Sequence, residues 1–469
     1  MTNDNNKQPS TLTHRTSTRS DRALVTWASL ALVSGATAAD LGDYYQAIDN
    51  HKEYNAFISV DRQLESVAPG ENKPLAGMVI SVKDNIHVAG LPNTAGTPLL
   101  REFTPQQDAG VVALLKAAGA QIIGKNNMHE LAYGITSNNA AFGPVRNGVN
   151  PAYMAGGSSG GTATAVALGM ATAGIGTDTG GSVRIPAALN GLVGFRPTTG
   201  RYPTTGMTLV SNTRDTAGPI TRTVAEAALL DQVLSETHEQ GAIATLSGLR
   251  LGVPRGYFYE GLDPDVATVM TSVLERLTSA GVELIEAELT NIPELNEKVG
   301  FPIVLYETSQ LLPQYLQEYL PGTTADQLVS LIASPDVKQI VGDALAGVIE
   351  EATYLEARDV QRPLLQQAYR DYFERHKVEA VIFPTTPLPA RALQEDMSTV
   401  KLGGEEVPTF PTYIRNTDPA SNAGIPGISL PAGVSSEGLP IGLELDGPAG
   451  SDRRLLSIAA AVEAALAGN

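Results

Sequence analysis

Between residues 155 and 186 the chain sets its serines among paired glycines, an arrangement few folds can use. The segment reads Ala155-Gly-Gly-Ser158-Ser159-Gly-Gly161, then Gly176-Thr-Asp-Thr-Gly-Gly-Ser182-Val-Arg184-Ile-Pro186. Backbone with so little side-chain bulk adopts positive φ without strain and brings its N–H groups close to a ligand. Successive N–H donors facing one concavity suit a developing oxyanion, and each such donor is worth roughly 3–4 kcal/mol of barrier. A serine directly after those donors is placed to act as a nucleophile. The pattern predicts a serine hydrolase or acyl transferase.

A nucleophilic serine needs a base. The six histidines, His14, His51, His87, His129, His238 and His376, lie in no recognisable triad signature, and a structural or capping role is expected for His129. Lysine is the known alternative base. The run Ala76-Gly-Met-Val-Ile-Ser-Val-Lys83-Asp84-Asn85 reads as a buried strand ending in Lys83. That puts Lys83 at a strand's carboxyl end, where active sites of open α/β sheets collect. To serve as a base it must be neutral at rest, so its reference pKa of about 10.4 has to fall by roughly 3 units, a cost of about 4 kcal/mol. The plain alternative is a structural lysine neutralised by the adjacent Asp84.

Taken together, Val82-Lys-Asp-Asn85 and the two glycine–serine segments resemble the amidase signature family. Ser182 follows Ser158 by 24 positions, the family's separation between bridging serine and nucleophile. The likeness continues through Gly191-Leu-Val-Gly-Phe-Arg-Pro-Thr198, Thr213-Arg-Asp-Thr-Ala-Gly-Pro-Ile220, Pro384-Thr385, Asn422-Ala-Gly-Ile-Pro426 and Gly438-Leu-Pro-Ile-Gly442. It runs from about residue 25 to residue 466.

The resemblance implies an α/β fold, a single large domain with a central twisted mixed β-sheet covered by helices on both faces. It implies a Ser182–Ser158–Lys83 triad, in which Ser158 relays the proton of Ser182 to neutral Lys83 and follows a cis Gly157–Ser158 peptide. The backbone of Thr179, Gly180, Gly181 and Ser182 would form the oxyanion hole, and Asp178 with Arg184 would brace the loop. Tyr133, in Asn127-Met-His-Glu-Leu-Ala-Tyr133-Gly, would line the acyl pocket. Residues 194–206 and 443–456 look most like indoleacetamide and mandelamide hydrolases. The implied reaction is hydrolysis of a small, aryl-bearing carboxamide (anilide and carbamate included) through an acyl-enzyme on Ser182, without metal or cofactor.

Other readings carry less. Gly156-Gly-Ser158-Ser-Gly160 also fits the G-x-S-x-G elbow, which needs a strand before its serine, whereas residues 147–154 read as a loop. A glutaminase or amidotransferase subunit acting with a partner, and a catalytically silent binding relative, are the remaining alternatives.

Composition sets the frame. The 469 residues carry 50 acidic and 32 basic side chains, a net charge of −18, which argues against nucleic-acid or anionic-membrane partners. The expected partner is a small-molecule amide, with a homodimer left open. The chain has no cysteine, which excludes disulfides, thiolate nucleophiles and cysteine-ligated zinc, and it has no HExxH spacing.

Residues 1–20 read as a disordered lead and 21–469 as the amidase-like domain, with a catalytic core over about 70–225 and a variable helical pocket region over about 254–380. The stretch 23–34, with arginines before it and Ala36-Thr-Ala38 after it, mimics a secretory signal over residues 1–38. The reading taken is instead a structural helix, a second helix over 40–49, and a cytoplasmic protein. Helices are expected over 111–118, stopped by Gly119, and over 162–170 behind the serine loop, with a strand at 121–124. Phe301, Leu305, Tyr306, Leu311 and Tyr315 are candidates for pocket lining.

Overall fold

The computed structural model describes residues 40–65, 73–237 and 242–467. The expected lead over 1–20 and the leader-like stretch 23–38 lie outside the described residues.

Thirteen strands are present among the described residues: β1 (Phe57–Val60), β2 (Val79–Lys83), β3 (Gln121–Asn126), β4 (Ala173–Asp178), β5 (Val193–Arg196), β6 (Thr216–Thr221), β7 (Arg250–Val253), β8 (Glu283–Glu286), β9 (Ala380–Pro384), β10 (Thr399–Leu402), β11 (Glu405–Pro408), β12 (Gly427–Val434) and β13 (Pro440–Asp446). β10 and β11 form a separate hairpin. The other eleven make one sheet in the order β1-β3-β2-β4-β6-β5-β12-β13-β9-β7-β8. β2 runs parallel to β3 and β4, and β7 parallel to β8 and β9, while the remaining pairs are antiparallel. The sheet is mixed, and the chain forms a single domain around it.

Both faces of this sheet are covered, and β2, β4, β5, β6, β9 and β13 are buried along their whole length. On β6, Ala217 belongs to the larger core and Ile220 to a smaller one. Three positions apart, they point to opposite faces. The larger core packs the helices Gly110–Ala117, Val224–Leu234, Pro264–Ser279 and Asp452–Ala467 against the sheet. The smaller one gathers α1 (Gly160–Ala167) and α2 (Arg184–Leu189) through Ala163, Val166, Val183, Ala187 and Ile220.

Local signals set the boundaries. The helix Leu41–Asn50 starts where the Asp40 carboxylate accepts the Gly42 N–H. The helix Gly110–Ala117 stops before Gly119, which takes φ +97°. β3 extends two residues past the expected 121–124. α1 begins two residues earlier than expected and ends at Ala167, so Met170 lies outside it. Its small residues let it sit directly on neighbouring backbone. A Cβ on Gly161 would lie 2.2 Å from the Asn127 carbonyl oxygen and 2.5 Å from that of Ala56. Nothing larger than glycine fits there.

The region 254–380 is largely helical, dominated by α3 (Ile292–Tyr319), but β8 interrupts it. That strand, Glu-Leu-Ile-Glu, is the sheet's edge and carries exposed charge, a pattern that keeps edges from pairing with other chains. Its charge hides it from a search for apolar runs.

Candidate active site

Lys83 ends β2 with no solvent exposure. Its Nζ donates to Ser158 Oγ at 2.7 Å, to Thr177 Oγ1 at 2.7 Å and to the Thr177 carbonyl at 3.4 Å. Burial pushes the Lys83 ammonium down to about 7, against the opposing pull of Asp178 and Asp215. The adjacent Asp84 does not neutralise it. Asp84 turns to Lys125, 3.0 Å away and equally buried, because side chains at consecutive extended positions point to opposite sides.

Ser158 follows a cis Gly157–Ser158 peptide and stands just before α1. Ser182 sits in the turn between β4 and α2, and its carbonyl accepts the Ser159 N–H at 3.2 Å. The Ser182 side-chain hydroxyl has no hydrogen-bond partner among the described residues. The structure therefore joins Lys83 to Ser158 directly and leaves the Ser182 hydroxyl free in the same loop.

The turn carrying Ser182 is fastened on a buried carboxylate. Asp178 accepts from Arg184 Nε and Nη2, both at 3.1 Å, and from Arg196 Nη1 at 2.9 Å. It also accepts the N–H groups of Gly181 at 2.9 Å and Val183 at 3.1 Å. Burial pushes Asp178 upward, but the two guanidinium groups outweigh it and hold the carboxyl well below its usual range. The Gly181 N–H, expected in the oxyanion hole, is occupied by Asp178. The N–H groups of Thr179, Gly180 and Ser182 have no acceptor among the described residues.

Thr179, Gly180 and Ser182 line a cavity of about 360 Å³ whose other walls are mainly apolar, including Tyr133, Val210, Phe301, Phe410 and Ile414. Tyr133 turns its hydroxyl away to Thr308 Oγ1, so the cavity meets its ring. α3 lines the cavity with Pro293, Asn296, Glu297, Gly300, Phe301 and Val304, spaced as one helical face. Of the expected lining residues only Phe301 lines the cavity. Tyr306 stacks on Tyr354 with ring centroids 4.2 Å apart, and the Tyr315 hydroxyl lies 2.8 Å from His87 Nε2. Leu305 falls off that helical stripe, and Leu311, though on it, lies about two turns beyond Val304 and outside the cavity lining. His129 pairs with Asp336 at 3.2 Å and accepts the Ser137 N–H, a structural placement.

Sequence reasoning missed several residues here. Thr177 holds Lys83 from β4. Arg214 and Asp418 form an ion pair in the cavity wall, and Asp215 accepts the Thr179 hydroxyl at 2.7 Å. Arg214 and Asp215 stand inside the quoted Thr213-Arg-Asp-Thr segment, which was the available signal. Asp418 had none. Among the described residues no group of three or more His, Asp or Glu is placed to hold a metal ion, and no helix is long and apolar enough to cross a membrane.

A family model described as Amidase matches residues 44–456. The chain is 47% identical over 393 residues to an indoleacetamide hydrolase of Agrobacterium vitis, covering 84% of each chain. It is 42% identical to a mandelamide hydrolase of Pseudomonas putida, covering 89% of this chain and 86% of the relative. A crystal structure of an amidase, 32% identical, superposes with a TM-score of 0.80 over 94% of this chain and 98% of the other.

Proposed function

The chain belongs to the amidase family and is an amide-cleaving hydrolase, and from that premise we propose that it cleaves small carboxamides bearing an aryl group on the acyl side through an acyl-enzyme on Ser182. The observation that carries this reading is the cavity itself, with the Ser182 hydroxyl beside three unengaged N–H donors and aromatic and aliphatic walls beyond. An aromatic acyl group fills such a space without stranding a polar atom.

The buried charges in the wall do not argue for a charged substrate. Asp418 is matched by Arg214 on one oxygen and by Asn296 and Asn422, each at 2.9 Å, on the other. Arg214 in turn is held by the carbonyls of Thr179 and Gly300, both at 3.1 Å. A glutaminase would have to seat an ammonium and a carboxylate here. The indole and mandelyl groups named in the relatives carry flat aromatic rings and no charge.

In the proposed cycle Ser182 Oγ attacks the amide carbon. Its proton passes to Ser158, and the Ser158 proton to neutral Lys83. The oxyanion is held by the N–H groups of Thr179, Gly180 and Ser182. The C–N bond breaks as the proton returns to nitrogen, releasing ammonia or amine, and water then cleaves the ester by the same relay to give the acid. The reading also carries a cytoplasmic enzyme that acts without a metal or cofactor, with a homodimer as its candidate assembly.

Labelling with an arylsulfonyl fluoride followed by peptide mapping tests the assignment, alongside a panel of indole-3-acetamide, mandelamide and glutamine. Label on Ser182 together with turnover of the aryl amides is the expected result. Label on Ser158, or glutamine as the preferred substrate, overturns it.

A further inference from the structure

Every peptide plane from Asp178 to Ser182 is anchored by its carbonyl. The Asp178 carbonyl accepts from Arg196 Nη1 at 2.5 Å, the Thr179 carbonyl from Arg214 Nε at 3.1 Å, the Gly180 carbonyl from Thr417 Oγ1 at 2.7 Å and the Gly181 carbonyl from the Ile185 N–H at 2.8 Å. A trans peptide is planar, with C=O and N–H pointing in opposite directions. Fixing a carbonyl therefore fixes the direction of the next residue's N–H. The donors aimed by these anchors are the N–H groups of Thr179, Gly180, Gly181 and Ser182. The third is the one Asp178 accepts, and the other three are unengaged and belong to residues that line the cavity.

Arg214 is the anchor that comes from the cavity wall, far along the chain from the loop it holds. We propose that Arg214 is a positioning residue for the oxyanion: its Nε–H fixes the Thr179–Gly180 plane and so aims the Gly180 N–H at the substrate oxygen. A hydrogen bond to the carbonyl also polarises the amide and strengthens the opposite N–H as a donor. The contact is close by construction. A Cβ on Gly180 would lie 2.8 Å from Asp418 Oδ1 and 3.2 Å from Arg214 Nη2, so only glycine lets the Arg214–Asp418 pair lie against this peptide. Through its other contacts, to Asp418 and the Gly300 carbonyl, Arg214 ties the oxyanion loop to α3, the helix that walls the pocket.

The inference rests on Ser182 being the nucleophile, and the test separates the two. Phenylacetaldehyde forms a hemiacetal, in which Ser182 Oγ bonds to the aldehyde carbon and the former carbonyl oxygen takes the oxyanion position. 2-Phenylethanol, uncharged, occupies the pocket without that bond. Losing one oxyanion donor costs about 10²–10³ in rate, so a misaimed donor is expected to cost at least about tenfold. Arg214→Met should lower kcat for indole-3-acetamide by that factor and weaken phenylacetaldehyde equally, while neutral 2-phenylethanol stays within about twofold. Asp418→Asn removes the ion pair but keeps Arg214 on Thr179, so it should leave the aldehyde-to-alcohol affinity ratio near wild type. If Arg214→Met does not fold, Arg214→Lys, which keeps a cation for Asp418 and withdraws Nε from Thr179, carries the comparison. Equal weakening of both ligands, an unchanged kcat, or the same ratio change in Asp418→Asn overturns the proposal. Hydrolysis surviving in Ser182→Ala would instead remove the nucleophile on which it rests.

Discussion

Lys83 Nζ lies 2.7 Å from Ser158 Oγ in a fully buried contact. A lysine so placed cannot keep its proton cheaply, and burial moves it down to about 7. Its neighbours Thr177 and Ser158 can accept hydrogen bonds from it but bring no charge.

The first prediction concerns pH. Below about 7 Lys83 is protonated and cannot take up a proton, so kcat/KM should rise about tenfold per unit up to a plateau above an apparent value near 7. Stability should move the same way. The unfolded chain holds this proton up to the ordinary value of 10.5 and the folded chain only to about 7, so the unfolded state binds more protons between those limits and stability rises with pH across that window. Lys83→Met should abolish hydrolysis and raise Tm, with a larger gain at pH 6 than at pH 9. A pH-independent kcat/KM between 5 and 9 would rule out this base.

A second prediction concerns the carboxylate beneath the nucleophile. Arg184 is fully buried, pairs with Asp178 and donates to Glu444 Oε1 at 2.7 Å. Arg184→Met leaves both carboxylates short of a buried partner, so urea unfolding should show a loss of about 3–5 kcal/mol. A loss below about 1 kcal/mol would mean the pair does not brace the turn.

The contact between α1 and the backbone beneath it gives a third. Gly161→Ala would push a methyl group into two carbonyl oxygens that belong to fixed backbone and cannot turn aside. Overpacking costs typically about 1–3 kcal/mol, and this site belongs at the upper end. Because α1 follows directly on Ser158, activity should fall along with Tm. An alanine variant with wild-type Tm would show that α1 can lift away from the strand.

What was legible in the sequence is local. The glycine-flanked serines, Lys83 at a strand end and the small-residue helix all announce themselves within a few positions, because each depends on backbone geometry or on one strand's pattern. The rest depends on contacts between distant segments. Thr177 reaches Lys83 across 94 positions, and Arg214 reaches Asp418 across 204. No periodicity links such pairs. The lining of α3 lies between these cases. Its six cavity residues follow helical spacing, but spacing alone does not say where along the helix the cavity ends: Tyr315, on the same stripe beyond Val304, lies against His87 instead. Nor could the motif reveal that Asp178 turns back onto its own loop and accepts the Gly181 N–H.

The last prediction tests the acyl pocket through Tyr133. Its hydroxyl is bonded to Thr308 Oγ1, which also donates to the Val210 carbonyl at 3.2 Å. Removing the hydroxyl leaves Thr308 with a partner, so Tyr133→Phe should cost only about 1 kcal/mol of stability. The ring that meets the substrate is unchanged, so kcat/KM for indole-3-acetamide should stay within about threefold, roughly 0.7 kcal/mol. Tyr133→Ala removes the wall itself. Lost ring contact is uniform binding, so KM should rise by about tenfold or more with a smaller change in kcat. Should Tyr133→Phe lose activity as deeply as Tyr133→Ala, the hydroxyl and not the ring would be the working part, and the aryl-pocket reading would have to yield to one in which Tyr133 contacts a polar substrate group.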